Sequence, residues 1–299
     1  MLPRIGYLLP TREQIMEGRA DAAPLLVLAA RAEALGYASV WGGDSVLARP
    51  RHDPTCRRRR AGATRRAGHR GAAGASSGDA RSGVGGAVHL GRWHRPRRAE
   101  HPRRVRRLRR AVRAARRMLE GLRLCRALWR GEPVDWDGRW PVASGVLAPV
   151  PHRAGGPPIW IGGNTPASLE RVGRLFDGWF PNAPNPAAFA AQWAEVQGIA
   201  RAAGRDPARL SGAMYLTLTV DDDADRAVAR MDAFLEGYYG APPAVLRRRQ
   251  AVYSGPADGV AAWLAAYARA GATDLVLHFA GDHEWNLEAL AKVRESLGW

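Results

Sequence analysis

The clearest structural signal in the sequence is Ile159-Trp160-Ile161-Gly162-Gly163-Asn164-Thr165-Pro166. Large apolar residues followed by two glycines predict a buried strand that ends in a tight turn. Thr165 and Pro166 then predict the cap and the first position of a helix. Such a turn leaves backbone N–H groups pointing outward at the positive end of the helix dipole, which suits a phosphate. From spacing alone, a plain strand-to-helix turn explains the pattern equally well.

Strands and helices alternate on both sides of this turn. Upstream, a strand at residues 4–9 is followed by a helix between Asp21 and Gly36 and by a second strand at residues 38–41. Strand–helix alternation is typical of a parallel sheet covered by helices, so the sequence predicts an α/β fold, either a (β/α) barrel or a doubly wound sheet. Downstream, strands are predicted near residues 179–180, 215–220 and 275–277, and helices near residues 118–129, 166–175, 186–196, 225–238, 257–270 and 286–297.

Residues 56–117 break this pattern. They contain 21 arginines, no lysine and two acidic residues, a net charge of +19, whereas the other residues carry 24 basic and 26 acidic side chains. The net charge of +17 for the whole chain is therefore a property of this segment. Only six of its residues are Leu, Ile, Val, Phe or Met, too few to offset the cost of ordering the backbone, about 1–2 kcal/mol per residue. We expect a largely disordered Arg/Ala/Gly-rich segment, with at most a loose basic helix near residues 103–117.

Two explanations of this segment are open. An arginine-rich arm binds nucleic acid by releasing counterions from phosphate, but the segment has a single aromatic residue, Trp93, to stack on bases. We favour out-of-frame translation, because a run of arginine codons such as CGG becomes a run of alanine or glycine codons when it is read one base away. The frame error would begin after Pro54 and end at Met118, where helical periodicity resumes. Reading the other two frames of the coding DNA tests this hypothesis.

The rest of the composition indicates a cytoplasmic protein without a metal site. Two cysteines, Cys56 and Cys125, provide neither a disulfide framework nor a metal-ligand pattern, as expected in a reducing compartment. The N-terminus lacks the basic region and apolar core of a signal peptide, and no apolar run reaches about 18 residues. We therefore expect neither export nor insertion into a membrane.

Three separated stretches resemble luciferase-like monooxygenases and their F420-dependent relatives. The cofactor-phosphate region of that family is similar to residues 158–163 followed, after a helix, by Phe176-Asp177-Gly178-Trp179-Phe180-Pro181. Residues 36–44 resemble the family's second strand, and residues 254–277 resemble its last helix and strand. The resemblance covers about residues 3–54 and 118–299, so residues 56–117 take the place of the family's third and fourth strands.

The resemblance implies a single (β/α)8 barrel domain, interrupted by residues 56–117, that binds FMN or the deazaflavin coenzyme F420 at the carboxyl ends of its strands. It implies three groups of cofactor-binding residues: Gly162, Gly163, Asn164 and Thr165 at the phosphate, Asp44 and Ser45 near the redox ring or substrate, and Gly6 and Tyr7 at the mouth of the first strand. Asp44 as a turn cap and Tyr7 as a packing residue are the alternatives. His278, which ends the last strand, is a candidate contact to the substrate or a structural histidine.

These observations predict a flavin- or deazaflavin-dependent oxidoreductase or monooxygenase that acts on a small organic substrate, with reduced flavin or deazaflavin as its partner. The cofactor would carry the redox chemistry, while the protein binds, orients and shields it. No residue is identified as catalytic, because nothing resembles a nucleophile triad or a carboxylate pair. A nucleic-acid-binding protein and an inactive product of a disrupted gene are the alternatives. The substrate and the oligomeric state, a homodimer included, are not determined by the sequence.

Overall fold

The structure of the protein is a computed structural model that describes residues 2–19, 21–43, 88–89 and 101–299. The chain divides into two compact units. Within the described residues, the first unit comprises residues 2–43, 88–89 and 159–299, and the second comprises residues 101–158.

The first unit alternates strands with helices, and among the described residues the second unit lies between β3 and β6 in sequence. In chain order, the elements before residue 159 are β1 (Arg4–Leu8), α1 (Thr11–Met16), α2 (Ala23–Ala34), β2 (Ser39–Trp41), β3 (Val88–His89), α3 (His101–Leu128), β4 (Val134–Trp136) and β5 (Val142–Gly145). The elements that follow are β6 (Ile159–Ile161), α4 (Pro166–Leu175), β7 (Gly178–Trp179), α5 (Pro186–Ala202), β8 (Ser211–Val220), α6 (Ala224–Tyr239), α7 (Pro243–Arg247), β9 (Ala251–Gly255), α8 (Ala257–Arg269), β10 (Asp274–Phe279) and α9 (His283–Ser296).

The first unit is built on one parallel sheet with the strand order β2-β1-β10-β8-β7-β6-β3. Every pairing along this order is parallel, and β9 also pairs in parallel with β8. The long strand β8 pairs with β7 at Ser211 and Gly212 and with β9 from Leu216 to Val220. Parallel strands joined by helices confirm the predicted α/β class. Among the described residues, β2 and β3 are the two edge strands of this sheet. Most of the chain between them lies outside the described residues.

The two faces of this sheet differ in what covers them. Trp41, Trp160, Phe180, Tyr215 and Val276 pack together on what we call the inner face, with Leu8 and Ala213. Because side chains alternate along a strand, the neighbouring residues point to the opposite, helix-facing side. On that side Trp179 stacks on Phe189 and Trp193 of α5, and all three rings are buried. The inner face therefore carries an aromatic lining, while the helix-facing side forms the core with α5 and its neighbours.

Side-chain caps determine where several of the helices begin. Thr165 accepts a hydrogen bond from the Ser168 N–H, and Asn185 accepts one from the Ala188 N–H, as their positions in the sequence predict. Asp223 caps α6 in the same way and accepts from the Arg226 N–H. The predicted cap of α2, Asp21, accepts from the Ala23 N–H, and the helix starts one residue after the expected place.

The second unit packs a long helix against a β-hairpin. Leu124, Ala127 and Val134 are buried together, and Trp136 and Trp140 pack against them. Strands β4 and β5 pair antiparallel, and neither is predicted from the sequence. The helix expected from residue 118 and the basic helix expected near residues 103–117 are one continuous helix, α3. The other described part of residues 56–117 is β3, so the expected disorder falls on residues outside the description and stays a prediction.

Two helix glycines test the packing of α4 against α5. A Cβ on Gly173 would lie 2.6 Å from the Ile199 Cγ2 and 3.0 Å from the Val196 carbonyl oxygen, whereas no described atom lies within 4 Å of a Cβ on Gly198. Gly198→Ala should raise the free energy of unfolding by about 0.5–1 kcal/mol, because alanine favours the helix. Gly173→Ala gains the same propensity but overlaps its neighbour, and it should lower that free energy by about 1–3 kcal/mol. Denaturant unfolding followed by circular dichroism measures both; shifts of the same sign and size would contradict the close approach at Gly173.

Candidate functional site

The turn between β6 and α4 has the geometry of an anion cradle. Gly163 has a φ of 119°, a conformation that favours glycine, and a Cβ there would lie 2.8 Å from the Ser168 Oγ. The Trp179 Nε1–H donates to the Gly163 carbonyl oxygen at 3.0 Å and anchors the turn to the core. Because β6 is parallel to its neighbours, the turn lies at the carboxyl edge of the sheet, where ligands of α/β proteins bind.

The backbone of this turn has unbonded N–H donors, while its polar side chains already form hydrogen bonds within the protein. Within the described residues, the N–H groups of Gly163, Asn164 and Thr165 have no hydrogen-bond acceptor. The Thr165 hydroxyl caps α4 and shares a hydrogen bond with the Ser168 hydroxyl at 2.8 Å. The Asn164 amide donates to the Gln192 Oε1 at 2.9 Å. Three free amides at a helix N-terminus fit a phosphate, so the residues present suit the anionic end of a cofactor.

The other cofactor-binding residues expected from the sequence do not lie together in the described structure. Gly6 is on the inner face, where a Cβ would approach the Ser39 Oγ to 2.6 Å and the Trp41 Nε1 to 2.7 Å. Tyr7 is fully buried on the helix-facing side and stacks on Phe279 at 5.4 Å between ring centroids. Asp44 and Ser45 lie outside the described residues. Contact of any of these with a cofactor stays a prediction.

A second polar cluster lies at the same edge and centres on the Glu13 carboxylate. Its Oε1 lies 2.8 Å from the His278 Nε2, and its Oε2 lies 3.3 Å from the His283 Nε2. Each histidine is bound at its other nitrogen by a tyrosine hydroxyl. The His278 Nδ1 lies 2.5 Å from the Tyr215 hydroxyl, and the His283 Nδ1 lies 2.7 Å from the Tyr7 hydroxyl.

These hydrogen bonds assign the tautomers of both rings. An ionised carboxylate only accepts, so each Nε2 carries a hydrogen and donates it to Glu13. In a neutral ring, Nδ1 then accepts from the hydroxyl of its tyrosine. The cluster is thus a symmetric chain in which two tyrosines donate to two histidines, and the two histidines donate to one carboxylate.

Burial and hydrogen bonding oppose each other in setting the charge of this cluster. Burial alone would raise the pKa of Glu13, but the hydrogen bonds from His278 and His283 outweigh it and lower that pKa to about 2. Burial lowers the pKa of His278 below its ordinary value, and the hydrogen bond to Glu13 offsets part of this effect. At neutral pH the carboxylate is therefore ionised and the His278 ring is neutral.

The five residues of this cluster come from five elements, and Tyr7 comes from β1. Only Tyr7 and His278 were predicted as site residues from the sequence. Glu13 comes from α1, His278 from β10, Tyr215 from β8 and His283 from the first position of α9. A six-residue helix such as α1 has too few apolar positions to show a periodicity, so no sequence pattern marks Glu13. His278 alternates with Val276 and so lies on the inner-face side of β10, but it is 1% exposed and both of its ring nitrogens are hydrogen-bonded.

The described part of the chain contains no group of three or more His, Cys, Asp or Glu side chains arranged to hold a metal ion. None of the helices described is both long and apolar enough to cross a bilayer.

The sequence profile of the luciferase-like monooxygenase family matches residues 83–274. The chain is 33% identical over 132 residues to 5,10-methylenetetrahydromethanopterin reductase from Methanolobus tindarius, covering 43% of this chain and 39% of that protein. It is 35% identical over 116 residues to the F420-dependent hydroxymycolic acid dehydrogenase of Mycobacterium tuberculosis, covering 38% of this chain and 31% of that protein. The matches thus span less than half the length of these relatives.

Solved structures show the same fold. An F420-dependent secondary alcohol dehydrogenase in complex with an F420–acetone adduct superposes with a TM-score of 0.63 at 17% identity, covering 98% of both chains. The monooxygenase RslO1 from Streptomyces bottropensis superposes with a TM-score of 0.54 at 21% identity, covering 71% of this chain and 69% of that one. These relatives and structures are redox enzymes, and none of them favours the nucleic-acid alternative.

The low pKa of Glu13 predicts how stability depends on acid pH. The unfolded chain binds the Glu13 proton near pH 4.5 and the folded protein only near pH 2, so this contribution to stability is complete above pH 4.5 and is lost as the pH falls toward 2. It amounts to roughly 3 kcal/mol at 1.36 kcal/mol per pKa unit. The depressed pKa of His278 acts with the same sign below pH 6.5.

Glu13→Gln should therefore flatten the dependence of the free energy of unfolding on pH between 4.5 and 2. Glu288→Gln is the matched control, because Glu288 is an exposed carboxylate paired with Arg31. Denaturant unfolding at several pH values measures both variants and the wild type. Equal slopes for Glu13→Gln and the wild type would show that the Glu13 carboxylate is not held ionised by the histidines.

Proposed function

Because this chain belongs to the luciferase-like monooxygenase family, we propose that it is an oxidoreductase that binds FMN or coenzyme F420 at the carboxyl edge of its sheet. The observation that carries the proposal is the anion cradle between β6 and α4. Its free amides at Gly163, Asn164 and Thr165 would hold the cofactor phosphate, and the N-terminus of α4 would favour the negative charge. Gly162 would let the backbone approach the phosphate closely.

The inner face supports the placement of the cofactor ring. Trp41 and Trp160 lie 5.3 Å apart between ring centroids, and Phe180 lies 5.6 Å from Trp41. Leu8, Trp41 and Tyr215 are only partly buried, so each keeps some surface that a ring would cover. A planar ring that covers them would exclude water from its reacting face. When bound, the cofactor supplies hydride or oxygen chemistry, while the chain orients and shields it.

Of the two cofactors, F420 is the first to test. The name of the Mycobacterium relative specifies F420, and so does the name of the alcohol dehydrogenase structure. Both are also dehydrogenases of hydroxyl compounds, so a small organic alcohol or its carbonyl partner is the first substrate class to test. We propose a cytoplasmic enzyme whose partners are this small molecule and the cofactor, reduced for a carbonyl substrate and oxidised for an alcohol, with a homodimer as the assembly to test.

The cradle makes a direct prediction for cofactor affinity. Gly163→Ala forces an alanine into a φ of 119° and against Ser168, which should displace the free amides and raise the Kd for F420 about tenfold or more, the equivalent of one lost hydrogen bond to a charged group. Gly18→Ala is the control, because Gly18 also has a positive φ (74°) but no described atom lies near its Cβ.

Fluorescence titration with F420 and with FMN measures these affinities and selects between the cofactors. We expect tight binding of one of them to the wild type and to Gly18→Ala, and weak binding to Gly163→Ala. Failure of the wild type to bind either cofactor would refute the proposed function. Unchanged affinity in Gly163→Ala would refute the role of the cradle.

A further inference from the structure

Five side chains form one continuous hydrogen-bonded chain from the inner face of the sheet to its helix-facing side. In order, they are Tyr215, His278, Glu13, His283 and Tyr7. Tyr215 belongs to the inner face, where Phe180 packs edge-on against its ring. Tyr7 belongs to the opposite side, where it contacts Phe279 and Tyr37. The chain therefore passes over the carboxyl edge of β1 and β10 through Glu13.

The two ends of this chain differ in their access to a ligand. Tyr215 is partly exposed, whereas Tyr7 is fully buried. The His278 ring is 1% exposed and lies beneath Phe234 and Tyr238 of α6, each with its ring centroid 5.0 Å away. The Tyr215 hydroxyl, 2.5 Å from the His278 Nδ1, is thus a route by which His278 can exchange a proton with a molecule on the inner face. A buried histidine that is hydrogen-bonded to a partly exposed tyrosine is suited to holding a proton rather than to binding a substrate.

We propose that Tyr215 and His278 form a proton relay in which Glu13 stabilises the protonated ring and His283 and Tyr7 position Glu13. The proposal rests on the proposed function, because hydride removal from a hydroxyl compound to an oxidised cofactor leaves one proton to be accepted. The Tyr215 oxygen accepts that proton as its own hydroxyl proton moves to the His278 Nδ1. One O–H bond of the substrate and one of Tyr215 break, and one O–H bond on Tyr215 and one N–H bond on His278 form.

The electrostatic surroundings of His278 suit a transient proton. Protonation makes an imidazolium beside the ionised carboxylate of Glu13, and this ion pair offsets part of the cost of burying the charge. The other titratable groups that face the ring are Tyr215 of β8, Tyr238 and Tyr239 of α6, Arg12 of α1 and His283 of α9. Burial and Arg12 disfavour the imidazolium, so the proton returns through Tyr215 once the product has left.

The outer half of the chain explains why Glu13 is available for this role. Hydrogen bonds from two histidines hold both oxygens of the carboxylate, so its position does not depend on His278 alone. The Tyr7 hydroxyl favours the tautomer of His283 that donates to Glu13. His283 and Tyr7 thus act through Glu13 and are positioning residues.

The test follows His278 directly, without substrate or cofactor. Nitrogen-15 NMR of labelled histidine rings across pH reports which nitrogen carries a hydrogen and where each ring becomes doubly protonated. In the wild type we expect a neutral His278 with its hydrogen on Nε2 at neutral pH, and reversible conversion to imidazolium below pH 6.5 while circular dichroism shows a folded protein. Glu13→Gln should shift this conversion to lower pH, because the imidazolium loses its counter-charge.

Two further variants separate the relay from general packing. Tyr215→Phe should shift the His278 Nδ1 resonance, because that nitrogen loses its donor. Tyr267→Phe removes another buried tyrosine hydroxyl, bonded to the Ala183 carbonyl oxygen, and should leave His278 unchanged. A His278 that stays neutral until the protein unfolds, or that carries its hydrogen on Nδ1, would overturn the relay.

The pH titration of His278 in the wild type tests the relay even if a variant fails to fold. Titration of the same samples with F420 and FMN separates this result from the proposed function. If neither cofactor binds but His278 titrates as expected, the proposed function is refuted and the proton-holding site is retained. If a cofactor binds but His278 stays neutral at every pH at which the protein is folded, only the relay is refuted.

Discussion

The parallel pairing of β10 between β1 and β8 is the constraint on which the rest of the structure depends. In this arrangement Gly6 is level with Val276, and Val276 is level with Tyr215, so three strands bring their carboxyl ends to one edge. The residues that follow or end these strands, Glu13 and His278 among them, meet there although they are 265 positions apart in sequence. An antiparallel strand in the place of β10 would send His278 to the opposite edge and leave a buried carboxylate without its partners.

The parallel strands bring two polar features to the carboxyl edge, the β6–α4 turn and the Glu13 cluster, and these differ in chemistry. The β6–α4 turn offers backbone donors whose positions are set by glycine conformation and by the cap at Thr165. The Glu13 cluster offers side chains whose protonation is set by burial and by one another. The inner-face residues Trp160, Phe180 and Tyr215 lie on or directly after β6, β7 and β8, the strands that connect the two features. An anion grip, an apolar wall and a proton-holding group are the parts that a redox cofactor needs from a protein that does not itself carry the electrons.

Sequence patterns predicted the parts of the fold that depend on local signals. The strand at residues 159–161 and the caps at Thr165 and Asn185 depend on residue type at fixed spacing, and they are where the sequence places them. Strand β9 and the hairpin of β4 and β5 are short and carry mixed residues, so no periodicity marks them. The candidate site divides in the same way. The cradle is contiguous in sequence, whereas the groups around His278 come from other elements, and only the register of the sheet brings them together.

The central claim is that the amides after β6 hold the anionic part of a redox cofactor. A crystal structure of the protein grown with F420, or with FMN if that binds more tightly, tests it most directly. We predict phosphate oxygens about 3 Å from the amide nitrogens of Gly163, Asn164 and Thr165, with the ring against Trp41 and Trp160. A cofactor bound at the amino-terminal edge of the strands, or a phosphate held elsewhere while these amides face solvent, would contradict it.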